Sequence, residues 1–198
     1  MSAFRLVFLV LVLLLGGIDP ALAEATLWVT TDNVELTRLD DGFRVEISVL
    51  APVPLAIAWQ VLTDFDRMAR FMPNLESSRI VAGQGSQTVQ VEQRGTAHFG
   101  PFSQKFISLR EIVMKPMGEI QARQLSGTAK SVESRMRLTA VGAQQTRLEY
   151  RSEIIAETKL PPLIGPAFVR HEMAEQFSAS VGEMVRRQNG LAAASPAK

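Results

Sequence analysis

Few side chains in this sequence could carry nucleophilic, acid–base or metal chemistry. Its 198 residues include no cysteine and only two histidines, His98 and His171. A structural zinc site takes about four nitrogen or sulfur ligands, so no metal is predicted, and no other cofactor is expected. The chain also lacks a nucleophile elbow, a phosphate-binding loop and a dinucleotide-binding glycine motif. The segment Gly83–Ser86 has neither the lysine nor the following helix of a phosphate site, and it is predicted to be a hairpin turn.

Arg170 is the most unusual charged residue, because it falls on the apolar face of a predicted C-terminal helix. Pro161-Pro162 begins this helix, which is predicted to run to about Arg187. With about 100° between successive residues, one face collects Leu163, Ala167, Arg170, Ala174, Phe177, Val181, Met184 and Val185. A buried, unpaired guanidinium is very costly. Arg170 therefore extends to solvent, pairs with a carboxylate, or lines a wet pocket and meets a ligand, and the sequence leaves these three alternatives open.

The two histidines carry less information. His98 follows the polar phase of its strand together with Glu92, Arg94 and Thr96, which predicts that it is exposed to solvent. His171 lies about 80° from the centre of the helical apolar face. It either reaches a cavity or stays at the boundary of the core.

Short strands separated by turn signals dominate residues 34–156. The predicted strands are Val34–Leu39, Phe43–Leu50, Ser77–Ala82, Thr88–Ala97, Phe102–Val113, Glu119–Leu125, Ser131–Ala140 and Thr146–Ala156. In the last two, apolar side chains alternate with charged ones, which predicts one dry and one solvated face. Phe102–Val113 is apolar on both faces, so it is either covered on both sides or bulged. This pattern predicts an antiparallel meander with the long helix packed on its dry face.

A pair of short helices is predicted between the second and third strands. An apolar stripe runs through both helices and consists of Ile57, Val61, Leu62, Phe65, Met68 and Phe71. Asp64 is placed to cap the N-terminus of the second helix, and Pro73 ends it. Trp59 lies beside the stripe and is predicted to be a structural residue.

The helix pair carries a resemblance to a known superfamily. Trp59, the run Leu62-Thr63-Asp64, the following aromatic residue and Pro73-Asn74 closely resemble the signature of the START-like (SRPBCC) helix-grip superfamily, in its polyketide cyclase/dehydrase and coenzyme Q-binding branch. With the order of elements, the similarity covers roughly residues 43–187. The resemblance implies an α+β helix-grip fold: a curved antiparallel sheet that grips a long C-terminal helix, with the helix pair after the first strands.

The resemblance also implies a tunnel for an apolar ligand between the sheet and the long helix. The side chains predicted to line this cavity are Phe71, Val91, Gln93, Phe106, Met136, Leu138, Tyr150, Arg170, Ala174 and Phe177. Burial of about 400 Å² of apolar ligand would contribute about 10 kcal/mol before the cost of association, which is on the order of 4–15 kcal/mol. Micromolar binding is therefore reasonable without a catalytic group.

Three functions are compatible with this sequence. The leading hypothesis is an exported, non-catalytic carrier of a hydrophobic small molecule such as a lipid, a quinone or a polyketide-like compound, with transient membrane contact. The second is a cyclase/dehydrase-type enzyme, for which Tyr150 with Arg170 or His171 is the best acid–base pairing. The third is a structural or interaction module whose cavity is filled by its own side chains. A net charge of +1 argues against nucleic acid as a partner.

The N-terminus has the features of a secretion signal. Arg5 precedes the unbroken apolar run Leu6–Leu15, and Ala21-Leu22-Ala23 fits the small-x-small cleavage pattern. The run is shorter than the roughly 20 apolar residues that cross a bilayer, although an uncleaved anchor helix is the alternative. We expect a signal peptide over residues 1–23, a single domain over 24–188, a flexible tail over 189–198, and a periplasmic or secreted product.

The cleavage pattern predicts that the mature chain begins at Glu24. N-terminal sequencing of the protein isolated from its native host should return Glu24 in a soluble extracytoplasmic fraction. An intact Met1 recovered with the membranes would show instead that the apolar run is an anchor.

Overall fold

The computed structural model describes residues 28–100, 102–155 and 164–194. The predicted signal peptide, its cleavage site after Ala23 and the helix-face residue Leu163 lie outside these described residues. Within them, no helix is both long enough and apolar enough to cross a membrane.

Eight strands form one antiparallel sheet. They are β1 (Val34–Arg38), β2 (Gly42–Ala51), β3 (Leu75–Ala82), β4 (Thr88–Phe99), β5 (Phe102–Lys115), β6 (Glu119–Gly127), β7 (Ser131–Ala140) and β8 (Thr146–Ile155). Their order across the sheet is β1-β2-β8-β7-β6-β5-β4-β3. Strands β3 to β8 follow one another as hairpins, and β8 then pairs with β2, which brings the two parts of the chain into one sheet. The predicted antiparallel meander is confirmed.

The short helices differ in kind from the predicted pair. The first, α1, spans Leu55–Leu62, whereas Phe65–Arg70 is a 3₁₀ helix. The predicted cap at Asp64 was wrong, because its side chain makes no capping hydrogen bond. The Asp64 carboxylate instead binds Arg67 and Arg187, since two guanidinium groups offer stronger partners than backbone N–H groups do.

The long helix, α2, spans Ile164–Ala194 and continues beyond the predicted end near Arg187. Four residues of the predicted face, Ala174, Phe177, Val181 and Met184, are buried as predicted. Ala167 is exposed and Arg170 is half-buried, and the buried face extends to Glu172 and Glu183. Hydrophobic periodicity could not find this extension, because buried glutamates with hydrogen-bond partners look like surface residues in a sequence.

The main core lies between α2 and one face of the sheet. Apolar side chains from α2, α1, β2, β7 and β8 pack together there, among them Val45, Ile47, Ala58, Val61, Met136, Leu138, Leu148, Val169, Phe177, Val181 and Met184. Trp59 is half-buried and packs against this cluster, as a structural residue should. On the other face of β7, Glu133, Arg135 and Arg137 are exposed, which confirms the predicted phase of that strand.

A charged cluster fixes the C-terminal half of α2 to the turn after α1. Arg187 donates hydrogen bonds to Asp64 Oδ2 at 2.7 Å and to Glu183 Oε1 at 2.6 Å. Its guanidinium also lies over the Phe71 ring, 5.9 Å from the centroid. The side chains of Arg187, Asp64 and Glu183 are only 16%, 11% and 5% exposed. We call Asp64, Glu183 and Arg187 the clamp.

The clamp carboxylates are ionised well below neutral pH. Burial alone would raise the pKa of Asp64 and of Glu183, but hydrogen bonds and charges from Arg187 and its neighbours Arg67 and Arg186 outweigh burial and lower both pKa values. The stability that the clamp contributes is therefore fully present above the ordinary carboxyl pKa of about 4. It is lost as the pH falls through the lowered values.

Arg187→Met should destabilise the fold by about 1.5–3 kcal/mol, because the charged hydrogen bonds that join Asp64 to Glu183 are lost while each carboxylate keeps one exposed arginine, Arg67 or Arg186. Arg186→Met is the matched control: this arginine also binds Glu183, but its side chain is 73% exposed, and the loss should be about 0–1 kcal/mol. Urea denaturation midpoints measure both. Equal midpoints for the two variants would show that the clamp does not hold α2.

Candidate functional site

A cavity of about 360 Å³ lies between α2 and the sheet. Most of its wall is apolar and includes Leu62, Phe65, Met68, Ile112, Ile120, Met136, Leu148 and Phe177. A smaller polar part comes from the inward-facing side chains Gln93, Ser108, Arg110, Gln124, Ser134 and Tyr150. A largely apolar enclosure with a few placed polar groups is the usual form of a small-molecule site.

The structure brings half of the predicted cavity residues together. Those that line the cavity are Gln93, Phe106, Met136, Tyr150 and Phe177. The Tyr150 ring meets the Phe177 ring edge-on, with centroids 5.2 Å apart. The two rings form a rigid part of the cavity wall, because Tyr150 is fixed on β8 and Phe177 is fixed on α2.

The other five predicted residues do not line it. Val91, Leu138 and Ala174 are buried in the cores on either side of the cavity. Phe71 packs beneath Arg187 of the clamp. Arg170 is half-buried on α2 and is not part of the cavity wall.

The charged residue in the cavity is Arg110, which sequence reasoning missed. Its guanidinium donates one hydrogen bond to Gln93 Oε1, and its Nε is buried without a hydrogen-bond partner. Burial lowers the pKa of Arg110 from its ordinary value, and the electrostatic effect of Tyr150 opposes this. An arginine stays protonated in proteins, so the cavity contains a positive charge with unused donors.

Gln93 fixes the direction of that guanidinium. Its Nε2 donates to Ser78 Oγ at 3.1 Å and contacts Met68 Sδ at 3.3 Å. Because both N–H groups of the amide point at these partners, its oxygen faces Arg110. Gln93 and Ser78 are themselves buried, so this short chain holds Arg110 in place from the wall side of the cavity.

Apolar side chains on both faces of β5 hid Arg110 in the sequence, because they did not show which face points inward. The register of β5 against β6 shifts between Leu109 and Arg110, but the extra residue is Leu125 on β6, and β5 itself is not bulged. Even so, Phe106, Arg110 and Ile112 are two or four residues apart and share the inward face. A lone arginine in phase with two large apolar side chains was the signal available.

A second polar group of the site joins α2 to the sheet. The buried Glu172 carboxylate accepts hydrogen bonds from Asn74 Nδ2 at 2.8 Å and from the His98 backbone N at 3.2 Å. Burial raises the pKa of Glu172, the charge of Glu175 adds to the rise, and these hydrogen bonds act against it. Asn74 also lines the cavity, so Glu172 supports the cavity wall from behind.

The acid–base pairing expected for an enzyme is not assembled. Tyr150 lines the cavity, whereas His171 and Arg170 do not. The His98 side chain is exposed, as predicted. His171, Glu172 and Glu175 place one potential ligand atom each within 4.8 Å of one another, but both Glu172 oxygens already accept hydrogen bonds. Both oxygens of Glu172 are therefore already engaged by Asn74 and by the backbone of β4.

Residues 51–179 match the family described as Polyketide cyclase / dehydrase and lipid transport. The match covers more than half of the sequence, and the chain belongs to this family. Comparison with curated proteins finds no match. Family and fold together support binding of a hydrophobic ligand or cyclase/dehydrase activity.

Solved structures share the helix-grip architecture. The Zhui aromatase/cyclase from Streptomyces sp. R1128 is 21% identical with a TM-score of 0.62, over 73% of this chain and 94% of that one. A START superfamily protein from Mycobacterium smegmatis is 13% identical with a TM-score of 0.63, over 72% and 97%. Human STARD10 is 11% identical with a TM-score of 0.59, over 80% and 75%. At these identities the likeness establishes the START-like fold, as the sequence predicted.

Gly95 allows the backbone of Asn74 to reach β4, and its replacement should disturb the cavity wall. A Cβ on Gly95 would lie 1.9 Å from Asn74 O, which accepts a hydrogen bond from Thr96 N at 3.0 Å. Gly95→Ala should cost about 1–3 kcal/mol through this clash. Gly190→Ala has open space around its Cβ and should be neutral or slightly stabilising. Thermal unfolding of both would check this, and an unchanged Tm for Gly95→Ala would contradict the packing of Asn74 on β4.

Proposed function

We propose that this protein is an exported carrier of one compact hydrophobic molecule that bears an acidic oxygen, such as a carboxylate or an ionised phenol or enol. The observation that carries the proposal is Arg110, a half-buried cation whose Nε is buried without a hydrogen-bond partner in a mainly apolar cavity. Arginine binds such oxygens by charge-assisted hydrogen bonds, which are the strong ones. Export is proposed from the signal-peptide pattern over residues 1–23.

The size of the cavity supports a small ligand. A volume of about 360 Å³ lies near the lower end of the roughly 300–1,000 Å³ typical of small-molecule sites. It suits a fused aromatic compound or a single short chain better than a lipid with two long chains. The open volume also argues against a module whose interior is filled by its own side chains.

The lining of the cavity favours binding over catalysis. Among the described residues that line it, Arg110 and Tyr150 are the ones that titrate, and the remainder are apolar or neutral polar side chains. A dehydration or a cyclisation needs a group that takes up a proton near the reacting carbon. The chain offers a cation for the ligand's oxygen but no carboxylate or imidazole on the described cavity wall.

A cyclase/dehydrase-type activity is the second candidate, and membership of the family favours it. In that case Arg110 would stabilise an enolate oxygen, and the Tyr150 hydroxyl would supply or accept the proton. Tyr150→Phe separates the two functions, because a carrier keeps its affinity for the bound compound, whereas an enzyme loses turnover of it.

The ligand itself can be found by native mass spectrometry of protein purified from its own compartment. A co-purified molecule with an apolar body and an acidic group would support the proposal. A neutral molecule or a two-chain lipid in the cavity would contradict the ligand class proposed for Arg110.

Arg110→Met should discriminate between acidic and neutral ligands. Fluorescence titration would compare 1-pyrenebutyric acid with its methyl ester, which differ only in the charged group. A charged hydrogen bond contributes about 1.5–3 kcal/mol, so affinity for the acid should fall about 10- to 100-fold while affinity for the ester stays within about twofold.

Arg123→Met is the matched control for this titration. Arg123 lies on the neighbouring strand β6, faces the solvated side and pairs with Glu111 at 2.9 Å, with 59% of its side chain exposed. The affinity for either ligand should not change in this variant. An equal fall in affinity for both ligands in Arg110→Met would mean that Arg110 shapes the cavity without binding an acidic oxygen.

A further inference from the structure

The cavity meets the protein surface near the turn that joins β6 to β7. Among the described residues that line it, Ile107 and Thr128 are exposed, whereas the others are half-buried or buried. These two residues lie side by side, because Ile107 N donates a hydrogen bond to Thr128 Oγ1 at 3.0 Å and Thr128 N donates one to Ile107 O at 2.9 Å. Residues that belong to both the wall and the exposed surface mark an opening, and we call Ile107 and Thr128 the mouth.

Arg110 lies close to the mouth. It follows Ile107 by three residues on β5, which is a separation of about 10 Å at the usual rise of a strand. Its register partner on β6 is Gln124, whose Nε2 donates a hydrogen bond to Ala129 O at 2.6 Å, beside Thr128. A ligand group that binds Arg110 therefore stays near the end of the cavity that faces solvent.

The wall beyond Arg110, on the side away from the mouth, is mainly apolar. The register of the strands places two rows of lining side chains there: first Ile112, Ala122 and Ser134, then Ile120, Met136 and Tyr150. The polar side chains in these rows carry hydroxyl groups, and none of the described side chains that line the cavity beyond Arg110 is charged. The cavity is thus divided into a cationic part beside the mouth and an uncharged, largely apolar part behind it.

We propose that the ligand lies along the strands, with its acidic group at Arg110 beside the mouth and its apolar body in the part of the cavity behind it. This inference rests on the proposed function, in which Arg110 binds an acidic oxygen. It narrows the ligand class to monoacids, molecules with one charged end and an uncharged apolar body, such as a medium-length fatty acid or an arylalkanoic acid. A second charge at the far end would be buried without a partner, which is very costly.

Ala122 determines how much room the apolar body has. It lines the cavity two residues along β6 from Gln124, the register partner of Arg110, and it lies between Ile112 and Ser134 on the neighbouring strands. Its methyl group therefore borders the space directly behind the group that binds the acid. A longer side chain at this position would fill that space without replacing any group that binds the acid, so Ala122 sets the size limit of the apolar body.

Isothermal titration calorimetry at pH 8 tests the orientation with decanoic acid and decanedioic acid, which have the same number of carbons and differ in the second carboxylate. Every carboxylate of the two compounds is ionised at this pH. The wild-type protein should bind decanoic acid at least about 100-fold more tightly, because the diacid has to bury an unpaired charge. Equal affinities would mean that the far end of the ligand extends into solvent, and they would overturn the proposal.

Ala122→Leu tests the size limit. In the wild-type protein each additional buried methylene group should tighten binding about fourfold, so decanoic acid should bind more tightly than hexanoic acid by on the order of 100-fold. Leucine at this position fills the space of roughly three of these methylene groups, so the ratio of the two affinities should fall about tenfold or more. Ala140→Leu is the matched control, because Ala140 is an exposed residue of β7 outside the cavity wall, and it should leave the ratio unchanged.

The outcomes separate this proposal from the proposed function. If decanoic acid does not bind, or binds Arg110→Met as tightly as the wild-type protein, the acid site itself is refuted. If decanoic acid binds through Arg110 but the ratio of affinities is the same in Ala122→Leu as in the wild type, the ligand does not occupy the space behind Arg110 and the orientation is wrong. The comparison of decanoic with decanedioic acid needs only the wild-type protein, so it decides the orientation even where Ala122→Leu does not fold.

Discussion

The ligand site depends on how α2 is held against the sheet. Its middle packs on apolar side chains of β2, β7 and β8, and the clamp fixes its C-terminal half to the turn after α1. Side chains of β5 and β6 line a space on the inner side of the same helix, and this space is the cavity. A helix packed along its whole length on the sheet would bury more apolar area but would leave no room for a ligand. The charged clamp therefore stabilises an arrangement that packing alone does not favour.

Arg110, unlike the clamp, lowers the stability of the fold. A desolvated guanidinium with an unpartnered Nε costs stability, and the fold offsets only part of this through the hydrogen bond to Gln93. Proteins retain such costs mainly at sites where a ligand supplies the missing partner. Gln93 and Ser78 support this interpretation, because they are buried polar side chains whose hydrogen bond helps to orient Arg110.

The sequence was enough to predict the architecture but not the charges inside it. Alternation of apolar and polar side chains located the strands within a few residues, and β7 within its observed limits. This alternation did not predict the positions at which buried polar groups hold the structure together. Asp64 resembled a cap but belongs to the clamp, and Glu183 resembled a surface residue. Arg170 drew attention because it interrupts an apolar face, but it is half-buried and does not line the cavity.

Arg110 shows why the cavity residues were harder to predict than the fold. Its strand, β5, carries large apolar side chains on both faces, and Ile107 and Val113 on the outer face are 48% and 38% exposed, so alternation did not show which face points into the cavity. Residues held by hairpin pairing, such as Met136 and Tyr150, were found because β7 and β8 alternate cleanly. Arg110, on a strand that is apolar on both faces, was not.

The same cation would act differently in a carrier and in an enzyme. Structures that share this architecture at 11–21% identity include an aromatase/cyclase and a START protein, so fold alone does not decide between the two. If a guanidinium binds a ligand's oxygen equally strongly in the ground state and in the transition state, it holds the ligand but does not accelerate its reaction. It accelerates a reaction when it binds the oxygen more strongly as negative charge develops there, and that requires a group to move the proton. On the described wall of this cavity Tyr150 is the side chain that could do so, and its position beside Arg110 is where carrier and catalyst would differ.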